Sequence, residues 1–582
     1  MLYPRYNPTT GAQIVDYLYD TVSVKDAEFG AVGDGVTDDT AAIQAAIDSL
    51  TIGTVLIPMG TYLISDSIVP KSNVSIRADK ATLTYDHTWA TGEGLIDTGT
   101  DVVTGVEISG LIFDGKGEWS SDAFANPYGG GNSVGFTNKQ RGLRVATGCS
   151  DFHVHGCEFK GLHEGVELSS ASKCKIVDNI FSNIGNAGIQ LYSVSYSVVA
   201  GNSISGVKGN LTDAGTTDVA FSKYADGIYA YGCTDCIIQN NPIEDCKRIG
   251  IVLEGNGTSI LNSGVTVQGN VIRNMNGCRG TEYNAGIWIE TGMTDGTCSV
   301  LGNTCYNVGA TAGNHASYGI QAHNATVTGN VVTGFDAGII GKQFRVTGNT
   351  VTLNAIGIYV NAQEAAKVSS LLHNTVYANT GTGILVVQCH GVIVISGNTI
   401  EDNGTAGVAG KTAGIKIERF YNNQKLSIVG NTFISSANQG AAAGQLYSLL
   451  AVAGGDFNFD TSGWRNNTFL FTGTWTYVWP ANLKVVPCAF GYDNTSQIYV
   501  YDVCEAQGNY TNKMPQPGVD NNLSEGNLRF VGYSTNIPSS GTWFAGDYKL
   551  ARAVAAGGVM GWVCTTSGTP GTWKTFGAIE AA

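Results

Sequence analysis

A Gly-Asn pair between apolar or small residues returns through the middle of the chain: Ala200-Gly201-Asn202, Gln268-Gly269-Asn270, Leu301-Gly302-Asn303, Thr328-Gly329-Asn330, Thr347-Gly348-Asn349, Ser396-Gly397-Asn398 and Val429-Gly430-Asn431. Asn179, Asn240, Asn374 and Asn467 stand in degenerate copies. A second motif, glycine followed by a short apolar strand, alternates with it at Gly165, Gly188, Gly227, Gly250, Gly286, Gly319, Gly338, Gly357, Gly383 and Gly414. The interval is 19 residues from Gly319 to Gly338 and again to Gly357, and it stretches to 39 between Gly188 and Gly227. A unit of about 19–25 residues holding three short strands is one coil of a parallel β-helix, with longer intervals carrying corner insertions. Leucine-rich spacing and a steady propeller period near 40 are both absent. Asn and Gly suit the corners because both tolerate positive φ, and stacked Asn side chains satisfy one another.

Composition agrees with an all-β chain. There are 78 glycines in 582 residues, only 14% of residues are charged, and the net charge is −15. Nucleic acid and anionic lipid both reward a basic surface, so neither is expected as a partner. No apolar run of about 18 residues suggests a membrane span. Met1-Leu2-Tyr3-Pro4-Arg5 lacks the basic start and apolar core of a signal peptide. The 13 cysteines are odd in number, and Cys233-Thr234-Asp235-Cys236 is a lone CxxC. They read as reduced thiols packed inside the solenoid, which suits synthesis in a reducing compartment. No cofactor and no metal are expected: His153 and His155 alternate along one strand, but the sequence offers no third ligand.

Ahead of the coils lies Phe29-Gly30-Ala31-Val32-Gly33-Asp34-Gly35-Val36-Thr37-Asp38-Asp39, followed by helical apolar spacing at Ile43, Ala46, Ile47 and Leu50. Thr37, Asp38 and Asp39 are favoured N-cap types, so capping and turn-making account for the acids without calcium. Gly53 to Tyr62 then reads as strand, turn and strand. A helix followed by strands closes the open end of a solenoid. This stretch resembles the opening module of the pectate-lyase-like superfamily, in the form found in bacteriophage tailspikes and related glycan-degrading proteins. The resemblance spans roughly Val22 to Asn467 and implies a right-handed β-helix, commonly a homotrimer, that binds and often depolymerises a bacterial surface polysaccharide. It also implies a virion location, with assembly in the host cytoplasm. It transfers no catalytic residue.

The expected organisation is an N-terminal arm over 1–22, a capping module over 23–100, a β-helix with the glycan groove over 101–440 and a β-rich C-terminal region over 441–582. The coil motif fades from about Gln439, and Trp464, Trp475, Trp479, Trp543, Trp562 and Trp573 cluster beyond it. That region reads either as a trimer clamp or as a sugar-binding module. The arm is too short for a virion-anchoring domain of its own. It reads as a peptide docking on a phage tail or adaptor protein, unless an upstream domain is missing.

Alternation along each strand places two outward columns on one wall. The first reads Glu167, Gln190, Tyr229, Val252, Trp288, Gln321, Ile340, Tyr359, Leu385 and Lys416; the second reads Ser169, Tyr192, Tyr231, Glu254, Glu290, His323, Lys342, Asn361, Val387 and Glu418. Glu254 and Glu290 fall on adjacent rungs about 4.8 Å apart, with Asp226 one rung away. Like charges so close raise one carboxyl into the range of a general acid. Glu254, Glu290 and Asp226 are therefore the candidate catalytic residues. Tyr192, Tyr229, Tyr231, Trp288, His323, Lys342 and Arg248 are the candidate substrate-binding residues. Insertions over Gly206–Ala225 and Arg273–Ala285 are expected to wall the cleft.

Three functions compete. In a glycoside hydrolase one glutamate protonates the leaving oxygen while the other, or Asp226, acts as base or nucleophile. In a polysaccharide lyase Lys342, Arg248 or His323 neutralises a uronate carboxylate or accepts its α-proton. A receptor-binding β-helix without catalysis needs only the aromatic wall. An esterase is disfavoured because no GxSxG nucleophile elbow is evident, and the acidic groove favours hydrolysis over elimination.

Overall fold

A computed structural model describes residues 5–6, 13–14, 20–85, 94–120, 123–125, 140–207, 225–255, 260–275, 284–290, 297–307, 317–361, 367–389, 391–404, 413–420, 425–436, 447–452, 464–465, 467–472, 486–491, 510–511, 529–552 and 555–580. The chain is a right-handed parallel β-helix, as the repeat predicts. One strand of each coil joins a 14-stranded parallel sheet that runs from Gly94–Asp97 to Val486–Gly491. The other two strands pair with their equivalents one coil away, as Lys175–Val177 does with Val198–Ala200 and Ile180–Ile184 with Ser203–Val207. Inward positions such as Val166, Leu168, Ile189, Leu191, Ile228 and Ile251 are wholly buried. Inside the solenoid, Phe113 stacks on Phe159 at 4.5 Å and Phe159 on Phe181 at 4.8 Å.

The corner asparagines form one continuous ladder. At Asn330 the backbone N–H and Nδ2 both donate to Oδ1 of Asn349 on the next coil, at 2.8 and 2.9 Å. Its Nδ2 also reaches the carbonyl of Val300 on the preceding coil at 3.0 Å. The pattern begins at Asn179 and passes through Asn202, Asn241, Asn270, Asn303, Asn330, Asn349, Asn374, Asn398 and Asn431 to Asn467. One assignment shifts by a residue: Asn241, not Asn240, carries the rung. Asn240 takes the left-handed position at φ 54°, which Gly329 fills at φ 67° in its own coil, and Asn is among the side chains that tolerate it. A second, shorter ladder of Asn354, Asn379 and Asn403 has no Gly-Asn pair to announce it.

The other glycine column answers a different need. A β-carbon on Gly250 would lie 2.7 Å from the carbonyl oxygen of Gly286 and 2.5 Å from Ile272 Cγ2. Successive coils approach too closely there for any side chain.

The amino-terminal end is closed by a helix, Thr40–Ser49, which buries Ile43, Ala46 and Ile47. Its N-cap residue, Asp39, makes no side-chain capping bond, so that acid holds the preceding turn and not the helix end expected of it. Asp34 accepts the Val36 and Thr37 N–H groups at 2.9 and 2.7 Å, which holds its carboxyl below the usual Asp value. Asp38 accepts the Thr40 N–H at 3.0 Å. Asp39 turns back to the Val32 and Gly33 N–H groups at 2.6 and 3.0 Å.

At the other end the coils run past residue 440. Tyr447–Val452 pairs with Ala413–Phe420, Thr468–Thr472 with Thr432–Ser436, and Tyr510–Thr511 with Thr468–Thr472. The Gly-Asn motif fades there because Asn467 keeps its rung without a preceding glycine. A separate four-stranded sheet follows: Arg529–Ser534, Asp547–Ala551, Val559–Thr566 and Thr572–Ala578. Its core is Trp562, Cys564 and Trp573. Trp543 packs edge-on against Trp573 at 5.5 Å, and Lys549 Nζ lies 4.3 Å from the centroid of a Trp543 ring. These tryptophans thus build a small core; Trp475 and Trp479 lie outside the described residues. Cys149, Cys157, Cys174, Cys233, Cys236, Cys246, Cys298, Cys305 and Cys564 are unpaired and buried, and no described helix is long and apolar enough to cross a membrane.

Replacing Asn330 by Ala removes the acceptor shared by the backbone N–H and Nδ2 of Asn303, together with the Nδ2 bond to the Val300 carbonyl. Each orphaned buried group costs about 1–3 kcal/mol. Denaturant unfolding of Asn330→Ala should show a loss of roughly 2–5 kcal/mol; a loss below about 0.5 kcal/mol would show that water replaces the rung freely.

Candidate functional site on the outer wall

The register of the 14-stranded sheet sets the outward columns in the expected order. Tyr192 pairs with Tyr231 and Tyr231 with Glu254; Tyr229 pairs with Val252, Val252 with Trp288 and Trp288 with Gln321; His323 pairs with Lys342. The Glu290 N–H donates to the Leu253 carbonyl at 3.0 Å. That bond seats Glu290 on the rung after Glu254.

The wall has two depths. Asp226, Arg248, Tyr229 and Val252 are buried, whereas Tyr192, Tyr231, Glu254, Trp288, Glu290, His323 and Lys342 are half-exposed. Asp226 and Arg248 form a bidentate ion pair, with Nε to Oδ1 at 2.8 Å and Nη2 to Oδ2 at 2.6 Å. Burial raises the Asp226 carboxyl above its ordinary value, Arg248 opposes the rise, and the charge of Glu254 adds to it. Tyr229 belongs with Ile249, Val252 and Ala285 to a small apolar cluster on the outside of the sheet, against which Tyr192, Tyr231, Trp288 and Tyr318 pack. Its ring lies 5.6 Å from that of Tyr192, and Tyr192 lies 6.3 Å from Tyr231. Tyr229 thus supports the aromatic platform from beneath.

The half-exposed column brings the chemistry together. Glu290 Oε2 accepts the Gly255 N–H at 3.2 Å, so the carboxylate reaches back to the rung of Glu254. Asn262 Nδ2 holds the Glu254 carbonyl at 2.7 Å and fixes the strand end that carries it. On the next rung His323 Nε2 lies 3.4 Å from Gln321 Nε2. Burial, aided by the charge of Lys342, pushes the His323 imidazole down to about 4, so it is neutral at physiological pH. The segments 208–224 and 276–283, expected to wall the cleft, lie outside the described residues.

Two features escaped the residue-type search. Tyr318 stands beside Trp288 with ring centroids 6.5 Å apart; it falls just before a repeat glycine, in the same position as Asp226 and Ala285, and only the fold shows its ring beside that of Trp288. Nearer the amino-terminal end, Arg141 Nε lies 2.6 Å from both Glu164 and Glu167, and Arg144 Nη1 lies 3.3 Å from Asp97. Arg141, Glu164, Glu167 and Asp97 are buried and Arg144 is half-exposed; together they form a structural ion-pair network on the same sheet. On another face, His155 Nε2 meets Glu107 Oε1 at 3.0 Å, and the His153 and His155 ring centroids lie 4.5 Å apart. Among the described residues no group of three or more His, Cys, Asp or Glu is arranged to hold a metal ion.

The class defined by the fold is a right-handed parallel β-helix, here with acidic and aromatic side chains on neighbouring rungs of its outer wall. Sequence comparison gives the same class over part of the chain. The family model of the right handed beta helix region matches residues 132–305, and that of the periplasmic copper-binding protein NosD matches 256–448. Mannuronan C5-epimerase AlgE5 of Azotobacter vinelandii is 37% identical over 105 residues, 17% of this chain and 10% of that protein. Alginate lyase 7 of the same organism is 37% identical over 105 residues, 17% of this chain and 11% of that protein. The chain thus spans about a tenth of the length of these curated relatives. Among solved structures, the tailspike protein of Escherichia coli bacteriophage HK620 in complex with a pentasaccharide is similar at 15% identity and a TM-score of 0.45, covering 84% of each chain.

Two outcomes follow from the buried charges. Arg248→Leu leaves Asp226 uncompensated, so thermal or denaturant unfolding should report a loss of about 3–5 kcal/mol, with much of it restored in the Asp226→Leu/Arg248→Leu double variant; a double variant no better than the single one would contradict this. His323 resists protonation in the fold but not in the unfolded chain, so its contribution is complete above pH 6.5 and is lost as pH falls towards 4. The melting temperature of His323→Asn should therefore fall less than that of the wild type between pH 6.5 and 4; parallel profiles would exclude His323 as a source of the acid sensitivity.

Proposed function

We propose that this chain binds a bacterial surface polysaccharide along the half-exposed column and cuts it by acid/base hydrolysis at Glu254 and Glu290. The observation that carries the reading is the placement of two half-exposed carboxylates on neighbouring rungs with aromatic rings on either side. Rungs stand about 4.8 Å apart, close to the roughly 5 Å carboxyl separation of retaining glycosidases. Glu290, which accepts the Gly255 N–H, takes the part of nucleophile, and Glu254 that of the acid which protonates the leaving oxygen. Asp226, the alternative base in the sequence reading, stands behind them; its burial and its Arg248 pair suit it to supporting the wall instead of meeting a sugar. The relatives named for mannuronan and alginate chemistry support a glycan as the ligand.

A second reading is β-elimination on a uronate-containing glycan. It is favoured by one observation: a neutral His323 beside Lys342 offers a proton acceptor next to a cation that would neutralise a uronate carboxylate. Arg248 is held by Asp226 and has no part in that scheme. In its wider setting we read the chain as a tailspike-type depolymerase. It would form a homotrimer in the virion, dock on a phage tail or adaptor protein through residues 1–22 and act at the bacterial surface.

The test is incubation of the full chain with purified bacterial exopolysaccharides, alginate among them, followed by mass spectrometry of the products. Hydrolysis adds water, and elimination leaves an unsaturated end that absorbs in the ultraviolet. Glu254→Gln and Glu290→Gln should each lower the rate of reducing-end release by at least about 100-fold; full activity in both would remove them from the mechanism.

A further inference from the structure

Aromatic rings stand on both sides of the two glutamates. Before them lie Tyr231 and Tyr192, one and two rungs ahead of Glu254. After them lie Trp288, on the rung of Glu290, and Tyr318, one rung further on. Trp288 and Tyr318 are both half-exposed, their rings are tilted by 53° with centroids 6.5 Å apart, and both pack on the same small apolar cluster. Gln321, paired in register with Trp288, lies on the Tyr318 rung, where its amide meets His323. From the Tyr231 rung to the Tyr318 rung is three rungs, about 14 Å, and the glutamates occupy the middle of that run.

We propose that Trp288 and Tyr318 form a second sugar subsite, so that the glycan lies along the solenoid axis across the rungs and is cut in its interior. This deepens the function proposed above and rests on it for the identity of the ligand. The physical argument is symmetry of grip. A chain held on one side of the acids only would offer its end to them, whereas platforms on both sides hold the bond between two bound stretches. Aromatic faces suit the purpose because the apolar face of a pyranose stacks on a ring with little side-chain entropy to lose. The Ala285 position, adjacent to Tyr318 in register, keeps the side of that ring clear of bulk. Gln321 supplies amide groups at the edge of the same subsite for sugar hydroxyls.

The test separates binding from cutting. Affinity electrophoresis of the full chain through gels containing each of the purified exopolysaccharides, alginate included, reads binding without turnover. Trp288→Ala and Tyr318→Ala should each weaken retardation roughly five- to tenfold. Tyr318→Phe should retain wild-type retardation, and Tyr318→Leu, which keeps bulk without an aromatic face, should behave as the Ala variant. For the polymer that the wild type shortens, Tyr318→Leu should raise KM more than it lowers kcat, and its limit products should be longer than those of the wild type. Unchanged retardation and product lengths in Trp288→Ala and Tyr318→Leu would overturn the subsite. No retardation of the wild type by any polymer would overturn the subsite and the glycan reading together, whereas retardation without cutting would overturn the interior cut and the hydrolysis and leave the binding subsite.

Discussion

Each rung of the asparagine ladder uses one side-chain oxygen to accept two donors from the coil before it. Asn349 Oδ1 takes both the backbone N–H and the Nδ2 of Asn330, and the same bond pattern recurs from Asn179 to Asn467. A corner amide buried without partners would be costly, so these bonds fix where each coil turns. Fixing the turn fixes the register, and a one-residue slip would exchange the inward and outward faces of every strand in the coil. The order of residues on the outer wall therefore depends on a chemistry located at a corner, away from the wall itself.

Much of this was legible in the residues, and the part that was not has a physical reason. Period-two alternation set the columns correctly from Glu167 to Lys416, because direction in or out is a local property of a strand. Depth is not local. Tyr229 and Tyr231 lie two positions apart on one strand and point the same way, yet one is buried and the other half-exposed, because their cover comes from elsewhere in the chain. The same limit hid the bidentate pairing of Asp226 with Arg248, residues that belong to successive rungs and different positions. Asn240 and Asn241 were ambiguous for a third reason: both side chains fit the corner, and only the backbone geometry tells the left-handed residue from the rung.

Charge is sorted by depth along the wall. The buried layer gives each ion a partner of opposite sign, Arg141 between Glu164 and Glu167, and Arg248 with Asp226. What faces solvent is then set by a few half-exposed groups, Glu254, Glu290 and Lys342 among them. An acidic protein thereby keeps carboxylate and ammonium groups of both signs along one wall, with Lys416 and Glu418 paired on a single rung.

The ladder also separates length from geometry. Asn330 and Asn349 are 19 residues apart and Asn202 and Asn241 are 39 apart, yet the Nδ2 to Oδ1 distances are 2.9 and 3.1 Å. Doubling the chain between two rungs leaves the join unchanged, and the entropy of closing the longer loop rises by only about 0.6 kcal/mol per doubling. Insertion and deletion at the corners is thus nearly free of consequence for the frame. Recognition can diversify quickly through those segments while the frame stays constant, and two descendants of one such frame can meet different surfaces without refolding.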